Sequence, residues 1–207
     1  MIIKSYLLEQ NIKLLSDKNL FLFYGENLGL KNDFKNLIKL NSPDYKIINI
    51  NQDEVIKNQE KFLSELLNFS LFEKEKIYFI NDCNDKILEF ILEVHKIIDN
   101  QLIFLFGENL DKRSKLRNHF EKAKNAYVIP CYNDNEITIR KIILNKLKDF
   151  KGLTAENINL ISDNCNFDRA KLNDELSKIS SCFTNKNMEN EKLKSLLDHK
   201  VNKDFNL

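Results

Sequence analysis

The stretch FLFYGENLGLKN, residues 21–32, joins a short apolar run to a turn that carries two glycines and a lysine. Its first four residues are all aromatic or aliphatic, as expected of a strand that is covered on both faces of a sheet. Four more runs of this kind follow along the chain: KIINI (46–50), IYFI (77–80), LIFLF (102–106) and AYVI (126–129). The sequence therefore predicts five buried strands.

Helical patterns separate these strand-like runs. Apolar residues recur at three- or four-residue spacing within the segments 28–40, 54–67, 85–98 and 112–124. Strand and helix in alternation through five strands predict a parallel sheet with helices on both faces. We therefore expect an α/β domain over residues 1–133.

The pattern changes after PCYNDNE, residues 130–136. No strand-like run follows, and the apolar residues beyond this point keep the spacing of helices. Residues 134–207 are therefore predicted to form a small all-helical domain. Asp134, Thr154 and Asp168 are predicted to be N-caps of its helices.

Composition and charge exclude several classes of function. Lys and Arg together number 32 and Asp and Glu 31, giving a formal charge of +1, so nucleic acid would have to be contacted through a local patch. The longest apolar run, residues 102–106, is far below the roughly 18 residues of a membrane span, and the N-terminus lacks a signal-peptide pattern. We expect a cytoplasmic protein without a membrane partner. Four scattered cysteines with no CxxC pair predict reduced thiols and no metal site.

The glycine turn can be compared with a phosphate-binding loop, because a parallel α/β domain followed by a helical domain has the outline of an AAA+ module. Such a loop reads GxxxxGK[ST]: its N–H groups surround the phosphates, its lysine reaches the outer phosphates and its hydroxyl holds Mg²⁺. Here only three residues lie between the glycines, Lys31 does not directly follow Gly29, and Asn32 replaces the hydroxyl residue. Tight phosphate binding is not expected.

The position that would hold Mg²⁺ in an ATPase is altered as well. An Asp–Glu pair should follow the third strand, but Asn81 and Asp82 stand there, and an amide is a poorer metal ligand than a carboxylate. Arg169 lies where an AAA+ protein could place a phosphate-sensing arginine, but a surface or interdomain arginine explains it better. We therefore expect an AAA+ shape with no cofactor and no ATP hydrolysis. The alternative is an AAA+ ATPase with a degenerate phosphate loop.

Along essentially its whole length the chain resembles the delta subunit of the bacterial DNA polymerase III clamp loader. Four segments carry the resemblance in chain order: FLFYGENLGLKNDF, NFSLFEKEKIYFIND, LIFLFGENLDKRSKL and NFDRAKLNDELSKI. DKRSKL is the most specific motif among them. The resemblance implies a subunit of the polymerase III complex in DNA replication that binds the sliding clamp and helps to open the ring. Its other partners would be delta-prime and the ATPase subunits of the loader.

The resemblance also implies a role for an apolar segment where a solvated connection would be expected. Asn68, Phe69, Leu71 and Phe72 match the clamp-binding peptide of the family, whose apolar side chains enter a hydrophobic pocket of the clamp. Leu71 and Phe72 match outright, whereas Asn68 stands in place of Gln and Phe69 in place of Leu. Without the resemblance, packing of these apolar residues under their own domain would be the preferred interpretation.

DNA is a further candidate partner, through the basic helix predicted over residues 112–124. Arg113, Arg117 and Lys124 are predicted to share one face of this helix, at spacings of four and seven residues. That face could follow a DNA backbone. A solvated helix face is an equally good interpretation.

Two features separate the chain from complete relatives. Delta subunits carry a third, helical collar domain, and this sequence ends at Leu207, about where that domain should begin, so we expect the domain to be absent. The delta-prime type of loader subunit is a further alternative. It usually carries the cysteines of a zinc module in its first domain, and the spacing of Cys83 and Cys131 does not support one.

Overall fold

The computed structural model describes residues 1–67, 75–98 and 101–197, and the chain divides into two compact units. The first unit comprises Met1–Glu26 and Lys31–Tyr132. The second comprises Asn27–Leu30 and the described residues from Asn133 onward. The first residues of the glycine turn's helix are therefore grouped with the C-terminal part of the chain.

A five-stranded sheet forms the centre of the first unit. Its strands are β1 (Leu20–Tyr24), β2 (Lys46–Asn51), β3 (Lys76–Cys83), β4 (Leu102–Gly107) and β5 (Ala126–Pro130). They lie in the order β2-β3-β4-β1-β5, and all four pairings are parallel. The predicted fold class is confirmed, and each predicted strand-like run falls within one of these strands.

Helices precede and connect the strands of this unit. They are α1 (Ser5–Gln10), α2 (Leu28–Asn41), α3 (Gln52–Lys57), α4 (Gln59–Leu67), α5 (Leu88–Ile97) and α6 (Lys115–Lys122). Short 3₁₀ turns at Ile12–Leu15 and Asp85–Ile87 precede β1 and α5. No helix in the described part of the chain has the length and hydropathy that crossing a membrane requires.

Strand β1 is buried along its whole length because both of its neighbours are strands and both faces of the sheet are covered. On one face, Phe21 stacks on Phe104 with ring centroids 4.4 Å apart. On the same face, Phe23 packs against Phe34 of α2, with ring centroids 5.3 Å apart. On the other face, alternate strand residues such as Leu22 pack in a core with α4, α5 and α6. A near-continuous apolar sequence is what such a two-sided position demands.

The described part of the second unit is built from α7 (Glu136–Lys146), α8 (Ala155–Cys165), α9 (Arg169–Cys182) and α10 (Asn190–Leu197). Their apolar faces form a separate core. Thr154 and Asp168 cap α8 and α9 as predicted. The predicted cap at Asp134 is wrong, because α7 is capped by Asn135, whose side chain accepts a hydrogen bond from Thr138 N–H.

Helix α6 is shorter than the predicted segment 112–124, since it begins at Lys115 and ends at Lys122. Ser114 is its N-cap, and a second cap comes from Asp85 in an earlier turn. The Asp85 carboxylate accepts hydrogen bonds from the Ser114 hydroxyl (2.6 Å) and from the N–H groups of Lys115 (2.9 Å) and Leu116 (3.0 Å). Burial opposes the ionisation of Asp85, but the hydrogen bonds from Ser114, Leu116 and Lys115 outweigh it and lower the pKa of this carboxyl.

We expect Asp85→Ala to lower the free energy of unfolding by about 1–2 kcal/mol at pH 7, because the first N–H groups of α6 lose their acceptor. The folded-state pKa of Asp85 lies below its unfolded value, so this stabilisation is present above the unfolded pKa of about 4 and is lost as the pH falls through the folded-state pKa. Urea denaturation of wild type and variant at pH 7 and at acid pH measures the difference.

The matched control is Asp174→Ala, which removes an exposed carboxylate within α9. We expect little loss of stability in this variant. An equal loss in both variants, or a loss from Asp85→Ala that persists unchanged at the acid end, would contradict the capping role.

Candidate functional site

The turn between β1 and α2 has the backbone shape of a tight glycine turn. Gly25 has a φ of +131°, and a Cβ at this position would lie 2.2 Å from the carbonyl oxygen of Cys131. A Cβ on Gly29 would lie 2.5 Å from the backbone nitrogen of Ala170 at the start of α9. Both glycines are therefore required by close backbone approaches. Neither needs a bound phosphate to explain it.

Lys31, the residue in the place of a phosphate-binding lysine, is bonded to the protein's own backbone. Its side chain is only 5% exposed, and its ammonium donates to the carbonyl oxygens of Gly25 (2.9 Å) and Gly107 (2.8 Å). Burial lowers the pKa of Lys31. This lysine connects the turn after β1 to the end of β4, and reaching a phosphate would require it to break both hydrogen bonds.

One N–H group in the first turn of α2, where phosphate oxygens would bind, also has a protein acceptor. Asn27 accepts a hydrogen bond from Leu30 N–H (2.9 Å) and donates from its amide nitrogen to Asp134 (2.7 Å). Asp134 in turn forms an ion pair with Arg169 at 3.3 Å, and the two side chains are only 5% and 6% exposed. The amide of Asn27 is therefore held by a buried ion pair and already accepts the hydrogen bond of an N–H group in this first turn. Arg169 is thus a buried, ion-paired residue of the second unit.

The end of β3 shows a similar replacement of metal chemistry by internal hydrogen bonds. Asn81 accepts a hydrogen bond from the ammonium of Lys35 (2.6 Å) and donates to the carbonyl of Ile50 (3.3 Å). Lys35 also lies 4.5 Å from the ring centroid of Phe106, and burial lowers its pKa. A cation therefore already contacts the side chain that would have to bind Mg²⁺. Within the residues described, no three or more His, Cys, Asp or Glu side chains form a group that could hold a metal ion.

The three basic residues predicted to contact DNA do not share a helix face. Only Arg117 lies in α6, whereas Arg113 precedes its N-cap and Lys124 follows its C-cap. The prediction of a common face is wrong because the cap at Ser114 and Asp85 starts the helix after Arg113, and because the extended backbone of Ala123 ends it before Lys124. Arg113 and Lys124 are exposed.

Arg117 has a structural role within the first unit. Its guanidinium donates to Glu121 (2.8 Å) and to the carbonyl of Leu110 (3.1 Å), and it lies 4.8 Å from the ring centroid of Tyr24. The Tyr24 hydroxyl is in turn 3.2 Å from that of Tyr132. DNA contact by Arg117 would compete with this arrangement.

The segment that resembles a clamp-binding peptide falls outside the described residues. Asn68, Phe69, Leu71 and Phe72 belong to residues 68–74, between the end of α4 and the start of β3. Their clamp contact stays a prediction.

Sequence reasoning missed Asn27 and Asp85 among the residues that organise these turns, and it gave Asp134 the role of an N-cap instead of its role as partner of Asn27 and Arg169. Asn27 carried a usable signal, because an Asn immediately before a periodic apolar segment is a usual N-cap. Asp134 and Asp85 carried none, since their partners Arg169 and Ser114 lie 35 and 29 positions away.

Comparison with known proteins identifies a relative in sequence. A protein of Rickettsia prowazekii (strain Madrid E), described as "Probable DNA polymerase III subunit delta", is 31% identical over 147 residues, which are 70% of this chain and 43% of that protein. The chain thus spans less than half the length of this relative. No family model matches the chain. The resemblance to delta subunits is confirmed.

Solved structures support the same fold. The Bacillus subtilis DNA clamp loader delta protein matches with a TM-score of 0.61 and 14% identity, over 93% of this chain and 62% of that one. The RuvB Holliday junction branch migration motor of Thermotoga maritima matches with a TM-score of 0.55 and 15% identity, over 93% of this chain and 66% of that one. At such low identities these matches show the fold alone.

We expect Lys31→Met to lower the free energy of unfolding by about 2–3 kcal/mol, because two hydrogen bonds from a charged donor are lost and two carbonyls lose their partner. Lys39→Met, an exposed lysine on the same helix, is the matched control and should cost much less. Urea denaturation measures both variants.

The same two variants test the nucleotide site. We expect Mg²⁺ and ATP to leave the melting temperature of the wild type unchanged. If ATP raised it and Lys31→Met abolished that rise without loss of stability, Lys31 would be a phosphate ligand and its structural role would be refuted.

Proposed function

We propose that this chain acts in a bacterial clamp loader as the subunit that binds the sliding clamp and helps to open the ring, without hydrolysing ATP itself. The observation that carries the proposal is its 31% identity over 147 residues to the Rickettsia prowazekii delta protein. In this role it would belong to the DNA polymerase III complex. Its partners would be the clamp, delta-prime and the ATPase subunits of the loader.

The internal hydrogen bonds at the two altered sites support the absence of ATP hydrolysis. Lys31 donates to two backbone carbonyls, and Asn81 accepts from Lys35. A nucleotide would have to displace these contacts. Its binding free energy would have to offset the cost of breaking the hydrogen bonds of a buried charged side chain. An ATPase with a degenerate phosphate loop is therefore the weaker of the two hypotheses.

Clamp contact is proposed for residues 68–72, and the described residues on either side support it. The Leu66 carbonyl accepts a hydrogen bond from Gln101 (2.8 Å), and the Glu75 carbonyl accepts one from the N–H of Lys46 (2.8 Å). Described residues that flank the segment on both sides, Leu66 and Glu75, are thus hydrogen-bonded within the first unit. Leu67, immediately before the segment, is 62% exposed, so apolar surface already faces solvent at its start.

Apolar side chains on this segment would supply the binding energy. Burying Leu71 and Phe72 in a pocket of the clamp is worth on the order of 1.5–3 kcal/mol each, before the cost of ordering the segment. If they bind an open ring more tightly than a closed one, the difference in affinity shifts the ring toward opening. Control by ATP would then come from the neighbouring subunits.

We expect the double variant Leu71→Ala with Phe72→Ala to keep the circular dichroism spectrum of the wild type and to lose at least 100-fold in affinity for the sliding clamp of the same organism. The reason is the loss of two apolar anchors, each worth more than a factor of ten. Titration of the clamp by isothermal calorimetry measures the loss.

The matched control is Leu92→Ala, which removes an exposed leucine of α5 and should leave clamp affinity unchanged. An unfolded double variant would place Leu71 and Phe72 in the core and refute their role as anchors. Absence of clamp binding by the wild type would refute the proposed function itself.

DNA contact is proposed for Arg113 and Lys124, which are exposed at the two ends of α6. Replacing both by Ser should reduce the magnitude of the negative slope of log affinity against log salt for duplex DNA by about 2, because each phosphate contact contributes about −0.9 to it. Arg117→Ala should instead lower stability, because it removes the contacts to Glu121, Leu110 and Tyr24. Fluorescence anisotropy at several salt concentrations measures the slope.

The control removes the same charge from the second unit, by replacing the exposed residues Lys141 and Lys148 with Ser. An equal change of slope in the two double variants would show a diffuse charge effect and remove Arg113 and Lys124 as specific contacts.

A further inference from the structure

Helices α5 and α6 bring two of the chain's three histidines into direct contact. His95 Nδ1 lies 3.1 Å from His119 Nε2, and the two rings meet edge to face at 85°. Both rings are partly exposed. The other ring nitrogen of His95, Nε2, is hydrogen-bonded to Oδ1 of Asn125. The pair takes no part in the glycine turn after β1 or in the proposed clamp contact.

The Asn125 contact determines where His95 carries its proton. An amide oxygen can only accept, so the Nε2 of His95 must be the donor. In neutral His95 the Nδ1 atom is then a bare lone pair directed at the neighbouring ring. Metal-binding histidines commonly donate from one ring nitrogen to an oxygen and coordinate the metal through the other, unprotonated nitrogen. His95 has this arrangement, with Nε2 as the donor and Nδ1 unprotonated.

The separation of the two facing nitrogens fits a metal ion between them. Nitrogen ligands lie about 2.0–2.1 Å from Zn²⁺, which places two of them about 3.3 Å apart at a tetrahedral angle and about 2.9 Å apart at a right angle. The observed 3.1 Å falls within this interval. To coordinate the ion, His119 would move its proton to Nδ1 so that Nε2 becomes free, and both rings would turn so that their two lone pairs converge on the ion beside the N···N line.

The backbone beneath the pair is fixed by the core of the first unit. Val94, next to His95 on α5, and Phe120, next to His119 on α6, are both completely buried. The two imidazoles therefore extend from rigid neighbouring positions, and little ordering would oppose chelation. Two ligands are fewer than a closed structural site has, so water would complete the coordination.

We propose that His95 and His119 form an open two-nitrogen site for a first-row divalent ion of the Ni²⁺ and Zn²⁺ class, with Asn125 as the residue that orients His95. Imidazole is a preferred ligand of these ions, whereas Mg²⁺ and Ca²⁺ favour oxygen. A bound ion would replace the hydrogen bond between the rings and link α5 to α6.

The test is calorimetric titration of the full chain with NiCl₂. We expect one site per chain in the wild type and a loss of affinity of at least tenfold in both His95→Gln and His119→Gln. His199→Gln is the matched control, because it removes the remaining histidine and should leave this site unchanged. Asn125→Ala should weaken binding about tenfold, since it removes the orienting acceptor.

Thermal unfolding gives a second readout that does not rest on calorimetry. Ni²⁺ should raise the melting temperature of the wild type and of His199→Gln, but not that of His95→Gln. Should His119→Gln fail to fold, His95→Gln and Asn125→Ala decide the question. Equal affinity in wild type and His95→Gln, or no saturable binding by the wild type, would mean that the two rings only share a hydrogen bond and would overturn the proposal.

Discussion

The burial of β1 on both faces of the sheet is the constraint on which the first unit depends. β1 lies between β4 and β5, and every one of its residues is buried. The phenylalanine pairs Phe21 with Phe104 and Phe23 with Phe106 join it to β4 on one face. Because this strand is fixed from both sides, the turn residue that leaves it, Gly25, is fixed as well.

That turn shows which contacts stand in this AAA+-like fold at the place of a phosphate site. In a phosphate-binding loop the lysine and the first helical N–H groups form their hydrogen bonds with the phosphates of the ligand. Here Lys31 donates to the carbonyls of Gly25 and Gly107, and Asn27 accepts from Leu30 N–H. In this turn, atoms of the protein itself occupy the hydrogen-bonding positions at which a nucleotide binds in a phosphate-binding loop.

How far the sequence predicts this molecule depends on the range of each interaction. The five strands were predictable because two-sided burial leaves a continuous apolar run in the local sequence. The start of α6 was not, because it depends on Asp85, which lies 29 positions before Ser114. The buried pair of Asp134 and Arg169 escaped prediction for the same reason. For the clamp-contact residues, the sequence supplied a hypothesis that the described residues do not test.

The residues compared with a nucleotide site and the residues that flank the proposed clamp-contact segment lie at opposite edges of the parallel sheet. Gly25 follows the carboxyl end of β1, and Asn81 lies near the carboxyl end of β3. This is the edge at which parallel α/β sheets bind their ligands. Leu67 and Glu75, which flank the proposed clamp-contact segment, precede the amino end of β3. Glu75 is bonded there to the first residue of β2. The altered turn residues therefore lie at the carboxyl edge and the residues that flank the proposed clamp-contact segment at the amino edge, so a substitution at one edge leaves the other intact.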